Sequence, residues 1–245
     1  MYRMYRYLAV VDSTNQWMKT RLREVVLPEG FVVRAGYQEA GRGQGTNRWE
    51  SERGRNLLFS VLLRPEHIPV ASQFVLSQLI SLAIVHTLHQ LLPDDKDAFT
   101  VKWPNDIYWN DRKLGGILIE NVLQGGCIKS CVIGVGLNIN QTTFYSDAPN
   151  PVSLKQLSGH RHRIKNVMHG ILHHLFEIYS CEADAIRAGY ARLLYRREGF
   201  HPFYSDGKGR FEASIVRVDD DGRLVLKEKT GDESGFYFKE VRFLV

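Results

Sequence analysis

The stretch from Ala71 to Leu92 constrains the fold most strongly, because it contains no aspartate, glutamate, lysine or arginine. Its large apolar residues recur at helical spacing, at Phe74, Leu79, Leu82, Val85 and Leu88. This pattern predicts a long helix that is largely buried inside the protein. The chain of 245 residues is long enough for one large domain, or for a main domain with a small satellite.

Strand-like runs lie on both sides of this helix. Two precede it and three follow it: FVVRAGY, NLLFSVLLR, FTVKWPNDIYWN, KLGGILIENVLQ and CIKSCVIGVGLNIN. Further helices are predicted for residues 12–25, where Ser13 and Gln16 have the spacing of a capping box, and between Ile164 and Arg196. Because strands and helices do not alternate regularly, the order predicts an α+β fold with a mixed sheet and helices on one face.

The end of the chain has a different pattern. After residue 198, β-rich runs surround an Asp-Gly turn in GRFEASIVRVDDDGRLVLKE and continue in FYFKEVRFLV. Short strands at this spacing predict a small β-barrel of about 45 residues. We therefore predict two domains, residues 1–198 and residues 199–245.

Charge and cysteine content disfavour several classes of protein. The net charge of +5 is spread along the chain, so we expect no nucleic-acid partner. The three cysteines, Cys127, Cys131 and Cys181, form no CxxC pair, which favours buried free thiols over disulfides or zinc. No apolar run reaches the roughly 20 residues of a membrane span, and the first residues are unlike a signal peptide. We expect a cytoplasmic monomer or homodimer without a metal site or a membrane partner.

The stretch QEAGRGQGTNRWESERGRN, residues 38–56, is too polar and too flexible for a core. It contains four glycines and four arginines. Glycine lets the backbone approach a ligand closely, and the forked arginine side chain suits carboxylate or phosphate. The composition indicates either a loop that closes over an anionic ligand or a solvated linker.

A second unusual stretch is VKWPNDIYWNDRKLGG, residues 101–116. Lys102, Asp106 and Lys113 interrupt a run whose Trp103 and Tyr108 have the character of buried residues. Charges in such a place are costly unless they are paired or used. They indicate either a functional site or two tight turns. The sequence has no P-loop motif, so any nucleotide is held in another way.

Five motifs in order resemble the biotin protein ligase family, the biotin–acetyl-CoA-carboxylase ligases: DSTNQ, YQEAGRGQG…W, KWPNDI, RKLGGILIE and IGVGLNIN. KWPND followed by RKLGG at this spacing is the most specific part. The resemblance covers residues 7–195, and the tail is similar to the SH3-like C-terminal domain of that family. It implies the class II synthetase-like biotin/lipoate ligase fold.

The resemblance also implies a reaction, its substrates and its residues. ATP, with Mg²⁺, would activate biotin as biotinyl-AMP, and biotin would pass to a lysine of a biotin carboxyl carrier protein or domain. The implied biotin-binding residues are Ser13, Thr14, Asn15, Gln38, Arg42, Gly43, Gln44, Lys113, Gly115 and Gly116. The implied ATP-binding or adenylate-binding residues are Arg42, Arg48, Trp49, Lys102, Trp103, Asn105, Gly134, Gly136 and Asn138. The implied catalytic residues are Lys113, Arg42 and Asp106.

Asp106 has two possible roles: it orients or deprotonates the acceptor lysine, or it only forms a turn. The family loop usually reads G-R-G-R-x-G-R, whereas Gln44 and Asn47 stand at the later arginine positions here and Arg48 lies one step beyond. The number of donors that face phosphate is therefore open. Because YLAVVDSTN begins almost at Met1, we expect no DNA-binding domain and no repressor function.

Two other functions remain as alternatives. A lipoate or octanoate ligase has the same fold class but needs an apolar pocket, which the polar Ser13, Thr14 and Gln38 disfavour. A non-catalytic biotin or nucleotide sensor would account for the altered loop, but Lys113 and the intact KWPND motif disfavour it.

Overall fold

A seven-stranded mixed sheet forms the larger part of the molecule in the computed structural model, which describes residues 4–145 and 150–244. Its strands are β1 (Met4–Leu8), β2 (Phe31–Ala35), β3 (Leu57–Leu63), β4 (Phe99–Lys102), β5 (Asp106–Trp109), β6 (Arg112–Gln124) and β7 (Cys127–Leu137). Their order in the sheet is β1-β2-β3-β7-β6-β5-β4. The pair β1–β2 is parallel and the other pairs are antiparallel. The predicted mixed sheet is confirmed.

The helices are α1 (Thr14–Glu24), α2 (Val75–Leu91), α3 (Leu154–Ser158), α4 (Ile164–Ile178) and α5 (Ala183–Arg192). The predicted long helix is α2, preceded by a short 3₁₀ turn at Val70–Ser72. It is buried because the sheet covers one side of it and α4 and α5 cover the other. The segment Val70–Leu91 passes a length and composition test for a membrane span, yet 67% of its apolar window is buried, as in the core helix of a globular protein.

The first helix packs on the opposite face of the sheet. Met18 of α1 lies against Val33, Leu62 and Val132, whereas Val61 points to the α2 side. Successive side chains of a strand point to opposite faces, so β2, β3 and β7 contribute to both cores. The prediction that all helices lie on one face is therefore wrong for α1.

The C-terminal strands form a second sheet, five-stranded and antiparallel. They are β8 (His201–Ser205), β9 (Gly209–Val218), β10 (Leu224–Glu228), β11 (Glu233–Phe236) and β12 (Arg242–Phe243), in the order β11-β10-β9-β8-β12. This agrees with the predicted small SH3-like unit. The Trp103 indole N–H donates to the Gly222 carbonyl at 2.9 Å and joins the two sheets. The boundary between residues 198 and 199 stays a prediction.

The cysteines are all free, but they differ in environment. Cys131 is buried in β7, and burial raises the pKa of its thiol well above the usual range. Cys127 and Cys181 are exposed. The prediction of buried thiols is therefore wrong for these two.

We predict that Met18→Ala destabilises the protein by about 2–5 kcal/mol, because it leaves a cavity between α1 and the sheet. Met18 is fully buried. The free energy of unfolding from urea titration measures the effect. Val26→Ala is the control, since Val26 is 91% exposed and should change stability by less than about 0.5 kcal/mol. Equal effects of the two substitutions would contradict this account of α1.

Candidate active site

A cavity of about 350 Å³ lies where α1, the loop after β2 and both sheets meet. Its walls are the N-terminus of α1, the loop from Gln38 to Trp49, the β4–β5 turn, the middle of β6 and β7, and strand β12. All but two of the site residues predicted from the sequence line this cavity. The two exceptions are Gly115 and Asn138.

The start of α1 presents hydroxyl and amide groups to one end of the cavity. Gln38 Oε1 accepts from the Thr14 backbone N–H at 2.8 Å and from the Thr14 hydroxyl at 3.0 Å. Ser13 occupies the N-cap position, but its side chain makes no capping hydrogen bond, so the predicted capping box with Gln16 is wrong. Ser13 is 4% exposed and lines the cavity. Its hydroxyl and the Gln38 amide N–H groups are therefore available to a ligand.

Asn15 holds the helix start against the sheet. Its Nδ2 donates to the Leu118 carbonyl at 3.1 Å and to Glu120 Oε2 at 2.9 Å, and its Oδ1 lies 2.6 Å from the Ser60 hydroxyl. A Cβ at Gly134 would lie 2.3 Å from Asn15 Oδ1. Asn15 and Gly134 thus fit each other, and the amide of Asn15 is already bonded within the protein.

The glycine-rich loop is a tight hairpin. The Gly43 N–H donates to Asn47 O at 2.8 Å, and Arg42 and Arg48 form an isolated antiparallel bridge. Like charges directly opposite each other in a ladder repel. Both arginines are exposed at the cavity, and no carboxylate of the described residues pairs with either. An anion bound between them would relieve this repulsion.

Trp49 follows the hairpin and lies flat on the sheet. A Cβ at Gly136 would lie 2.6 Å from the indole, and a Cβ at Gly116 would lie 3.5 Å from it. Only glycine at residue 136 therefore leaves room for the ring. Trp49 Nε1 is buried and has no hydrogen-bond partner among the residues that the structure describes. The indole forms a wall with one unused donor.

Lys113 and Asp106 form an ion pair across β5 and β6. Lys113 Nζ lies 2.7 Å from Asp106 Oδ1, and both side chains are about one-fifth exposed. Lys113 Nζ also lies 6.0 Å from the Trp49 ring centroid. In the register of β5 and β6, Asp106 lies opposite Gly116 and Lys113 lies opposite Tyr108, so the long lysine side chain extends along the strand to reach the carboxylate.

Lys102 is the second lysine of the cavity. Its ammonium donates to the Tyr108 hydroxyl at 3.0 Å. Burial lowers its pKa from the ordinary lysine value, and the nearby Asp106 carboxylate opposes that shift. Burial also raises the pKa of Tyr108 well above its usual range, so this hydroxyl stays neutral.

The cavity as a whole has excess positive charge. Among its described lining residues the basic groups are Arg42, Arg48, Lys102, Lys113 and Arg242, and the one carboxylate is Asp106. One end is neutral and polar, and the other end is cationic. A molecule that fills both ends needs a neutral hydrogen-bonding head and an anionic tail.

A model of the biotin/lipoate A/B protein ligase family matches residues 7–138, which is more than half of the chain. The chain belongs to this family. It is 42% identical over 132 residues to the bifunctional ligase/repressor BirA of Escherichia coli, a match that covers 54% of the chain but only 39% of that protein. It is 30% identical over 242 residues to BirA of Bacillus subtilis, covering 93% of the chain and 71% of that protein.

The fold is that of solved biotin protein ligases. The structure of the Aquifex aeolicus biotin protein ligase with biotin and ATP aligns with a TM-score of 0.79 and 22% identity, covering 99% of this chain and all of that chain. At this identity the likeness shows the fold alone. The predicted α+β biotin/lipoate ligase fold with a mixed sheet is confirmed, apart from the face on which α1 packs.

Three residues predicted for ligand contact have structural partners instead. Asn138 is buried, and its Oδ1 lies 3.4 Å from Asn56 Nδ2. A Cβ at Gly115 would lie 2.1 Å from Leu137 Cδ2, so Gly115 permits close packing of β6 on β7. Asn105 lines the cavity, but its Nδ2 donates to the Ile117 carbonyl at 2.7 Å. Asn138 and Gly115 therefore act behind the cavity.

Sequence motifs do not mark the cavity residues that come from β12 and from the connection before it, namely Phe238, Val241, Arg242 and Phe243. Ser60 and Glu120, which position Asn15, were also missed. Nothing local in the tail marks its four residues, because their role depends on how the two sheets dock. The sequence does mark Ser60, because it is a polar residue in the otherwise apolar strand β3.

The one group of described His, Cys, Asp and Glu residues with metal-ligand spacing is His173, His174 and Glu177. It lies on α4, outside the cavity. Glu177 pairs with both histidines at 3.3 and 3.1 Å. The cavity itself offers one carboxylate, so a metal ion there would be held mainly by its substrate.

We predict that Gly134→Ala destabilises the protein by about 1–3 kcal/mol, because the new methyl group would displace the buried Asn15 amide. The midpoint of urea unfolding measures this. Gly207→Ala is the control, because a Cβ at Gly207 meets no atom within 4 Å. If Gly134→Ala were as stable as Gly207→Ala, the fit between Asn15 and Gly134 would not matter.

Proposed function

We propose that this protein is an ATP-dependent biotin protein ligase. The observation that carries the proposal is the two-ended cavity, neutral and polar beside α1 and cationic beside the loop hairpin. Membership of the family and the names of its relatives support it. The proposal covers the ligase activity in those names and does not extend to the repressor activity, because the chain matches only part of each bifunctional relative, 39% of the E. coli protein and 71% of the B. subtilis protein.

The neutral end suits the ureido ring of biotin. A cyclic urea offers one carbonyl acceptor and two N–H donors. The free amide N–H groups of Gln38 would donate to the carbonyl, and the Ser13 hydroxyl is free to complete the set. Thr14 is already bonded to Gln38 and lies 2.7 Å from the Ser60 hydroxyl. Thr14 therefore positions Gln38 more than it contacts the ring.

The cationic end suits the first half-reaction. A biotin carboxylate oxygen attacks the α-phosphorus of ATP, the bond from that phosphorus to the bridging oxygen breaks, and pyrophosphate leaves with the electron pair. Two anions must approach each other, so nearby cations stabilise the transition state. Lys113, Arg42, Arg48 and Lys102 all line the cavity and would supply this charge. Mg²⁺ held by the phosphate oxygens of ATP and by water would add further positive charge.

The loop hairpin and Trp49 cover the intermediate. The mixed anhydride of biotinyl-AMP hydrolyses readily, so the site must exclude water until the acceptor arrives. Trp49 lies over Gly116 and Gly136 and closes one wall. Gln44 stands in place of the usual arginine, and its buried Oε1 has no partner within the described part of the chain, so it adds an acceptor and no charge. Arg42 and Arg48 then supply the charge of this loop.

In the second half-reaction, the lysine ε-amine of a biotin carboxyl carrier domain attacks the acyl carbon. The carbon–oxygen bond to AMP breaks, AMP leaves with the electron pair, and the amine loses a proton. Free lysine has a pKa near 10.4, so a base must assist. Asp106 is the one carboxylate on the described cavity wall. It becomes free to accept hydrogen bonds from the amine when Lys113 turns to the anhydride.

The remaining parts of the proposal concern the setting of the enzyme. The partner is a biotin carboxyl carrier protein or domain of a biotin-dependent carboxylase. We propose a cytoplasmic enzyme, monomeric or homodimeric, with a catalytic domain at residues 1–198 and an SH3-like domain at residues 199–245.

We predict that the protein catalyses pyrophosphate–ATP exchange with biotin and Mg²⁺. Lipoate should support little exchange, because the polar groups of Ser13 and Gln38 would be left unpaired by an apolar dithiolane. Isotope exchange into ATP measures the reaction. Lys113→Met should lower the rate by about a hundredfold or more, whereas Lys155→Met, outside the cavity, should not. Exchange with lipoate alone would favour a lipoate ligase, and absence of exchange with either would favour a sensor.

We predict that Asp106→Asn slows biotin transfer to a carrier domain more than it slows exchange. General base assistance contributes about 10²–10⁴-fold, so transfer from preformed biotinyl-AMP should fall by at least a hundredfold in single-turnover experiments. The defect should shrink as the pH rises and the acceptor amine deprotonates without help. A transfer rate equal to that of the wild type would assign Asp106 to the turn alone.

A further inference from the structure

Three aromatic side chains surround the ammonium group of Lys102. Its Nζ lies 4.8 Å from the ring centroid of Tyr108, 6.0 Å from that of Tyr195 and 5.5 Å from that of Phe243. These rings come from β5, from the segment after α5 and from β12. We call them the aromatic box. It assembles only when the C-terminal sheet is docked.

The box is held in place by contacts of its own. The Tyr195 hydroxyl donates to Asp111, and the Tyr195 ring lies 5.3 Å from Tyr108 and 6.0 Å from Phe243. Phe243 in turn lies 4.9 Å from Phe203, in the core of the second sheet. A continuous row of rings therefore runs from the catalytic sheet into the C-terminal sheet, past Lys102.

The docking of the last strand is fixed on both sides of the box. Arg196 donates to the Leu244 carbonyl at 2.6 Å, directly after Phe243. Trp103, the residue after Lys102, donates to Gly222 at 2.9 Å. The position of Phe243 relative to Lys102 is thus set by hydrogen bonds and not by side-chain packing alone.

We propose that Phe243 is a positioning residue for ATP, because it completes the box that directs the Lys102 ammonium toward the phosphate end of the cavity. This inference rests on the proposed function, since it takes ATP as the ligand of that end. Phe243 acts through Lys102: its ring lies against the Lys102 ammonium group and not against the reacting atoms.

The physical reason is that the box holds a cation without neutralising it. A carboxylate partner would compete with phosphate for Lys102, as Asp106 does for Lys113 at 2.7 Å. Aromatic rings attract a cation more weakly than an anion does. Apart from the hydrogen bond to the Tyr108 hydroxyl, they leave the N–H groups of Lys102 available to phosphate. They also exclude water, so that a phosphate interacts with Lys102 in a low dielectric. The ammonium is both oriented and available.

The box also sets the pH range in which Lys102 is charged. Burial lowers the pKa of Lys102, so its ammonium loses its proton at lower pH than an exposed lysine would. The charged and titratable groups that face it are Asp106, Asp111, Lys113, Arg196, Tyr108 and Tyr195. Removing the Phe243 ring hydrates Lys102 and raises its pKa. Loss of ATP affinity on the alkaline side should therefore begin at higher pH in such a variant.

The test is Phe243→Leu, which keeps an apolar side chain in the core and removes the ring. Biotin-dependent exchange is measured against ATP concentration from pH 7 to pH 10, and direct ATP binding is measured by calorimetry on the same samples. We expect KM for ATP and Kd for ATP to rise about fivefold to tenfold at pH 7.5, with KM for biotin unchanged. Lys102→Arg, which stays charged at every pH used, should abolish the alkaline increase in Kd that is due to Lys102.

Phe200→Ala is the matched control, since it removes an exposed phenylalanine beside the same sheet and should leave all constants unchanged. A Phe243→Leu protein that folds and keeps the wild-type Kd for ATP would overturn the proposal. So would equal losses for ATP and biotin, which would indicate general disruption. If the wild type binds ATP but shows no exchange with biotin, the proposed function fails while the calorimetry still decides the role of Phe243.

Discussion

Repulsion between positive charges in one cavity is the interaction on which ligand binding by this protein depends. Arg42 and Arg48 face each other across a hairpin, and Lys102 and Lys113 lie on the walls behind them. Lys113 is held by a carboxylate and Lys102 by aromatic rings and the Tyr108 hydroxyl, whereas the two arginines are exposed. The mutual repulsion of these cations is unfavourable without a bound anion, and a polyphosphate bound among them would relieve it.

Small residues make this cavity possible. Gly134 leaves room for the Asn15 amide, and Gly136 leaves room for the Trp49 indole. Both glycines lie on β7, two residues apart, and therefore on the same face of the sheet. The Asn15 and Trp49 side chains, which line the cavity, therefore pack directly on the backbone of β7 at these two glycines. With a larger residue at either position, the sheet could keep its apolar core, but the side chain would occupy the place of Asn15 or Trp49 in the cavity wall.

Much of the fold could be predicted from local pattern, whereas most of the site residues were implied by the resemblance of five motifs to a known family. The run without charged residues predicts α2. The motifs around Gln38, Lys102 and Lys113 lie near strand ends, which the sheet brings together at the cavity. The face on which α1 packs could not be predicted, since an amphipathic helix fits either face. The spacing of Ser13 and Gln16 predicts a capping box, but the Ser13 side chain makes no capping hydrogen bond and lines the cavity instead. The contribution of Phe243 depends on docking between distant segments, which leaves no local pattern.

The apolar core does not stop at the boundary between the two sheets. Phe203, Leu224 and Phe236 of the C-terminal sheet belong to the same buried cluster as α2. Two sheets that share one core should lose their structure in a single cooperative transition. Any ligand that favours the native cavity then stabilises both sheets at once. A change that loosens the packing of the C-terminal sheet, far from the phosphates, would consequently be observed first as weaker ligand binding and only later as unfolding.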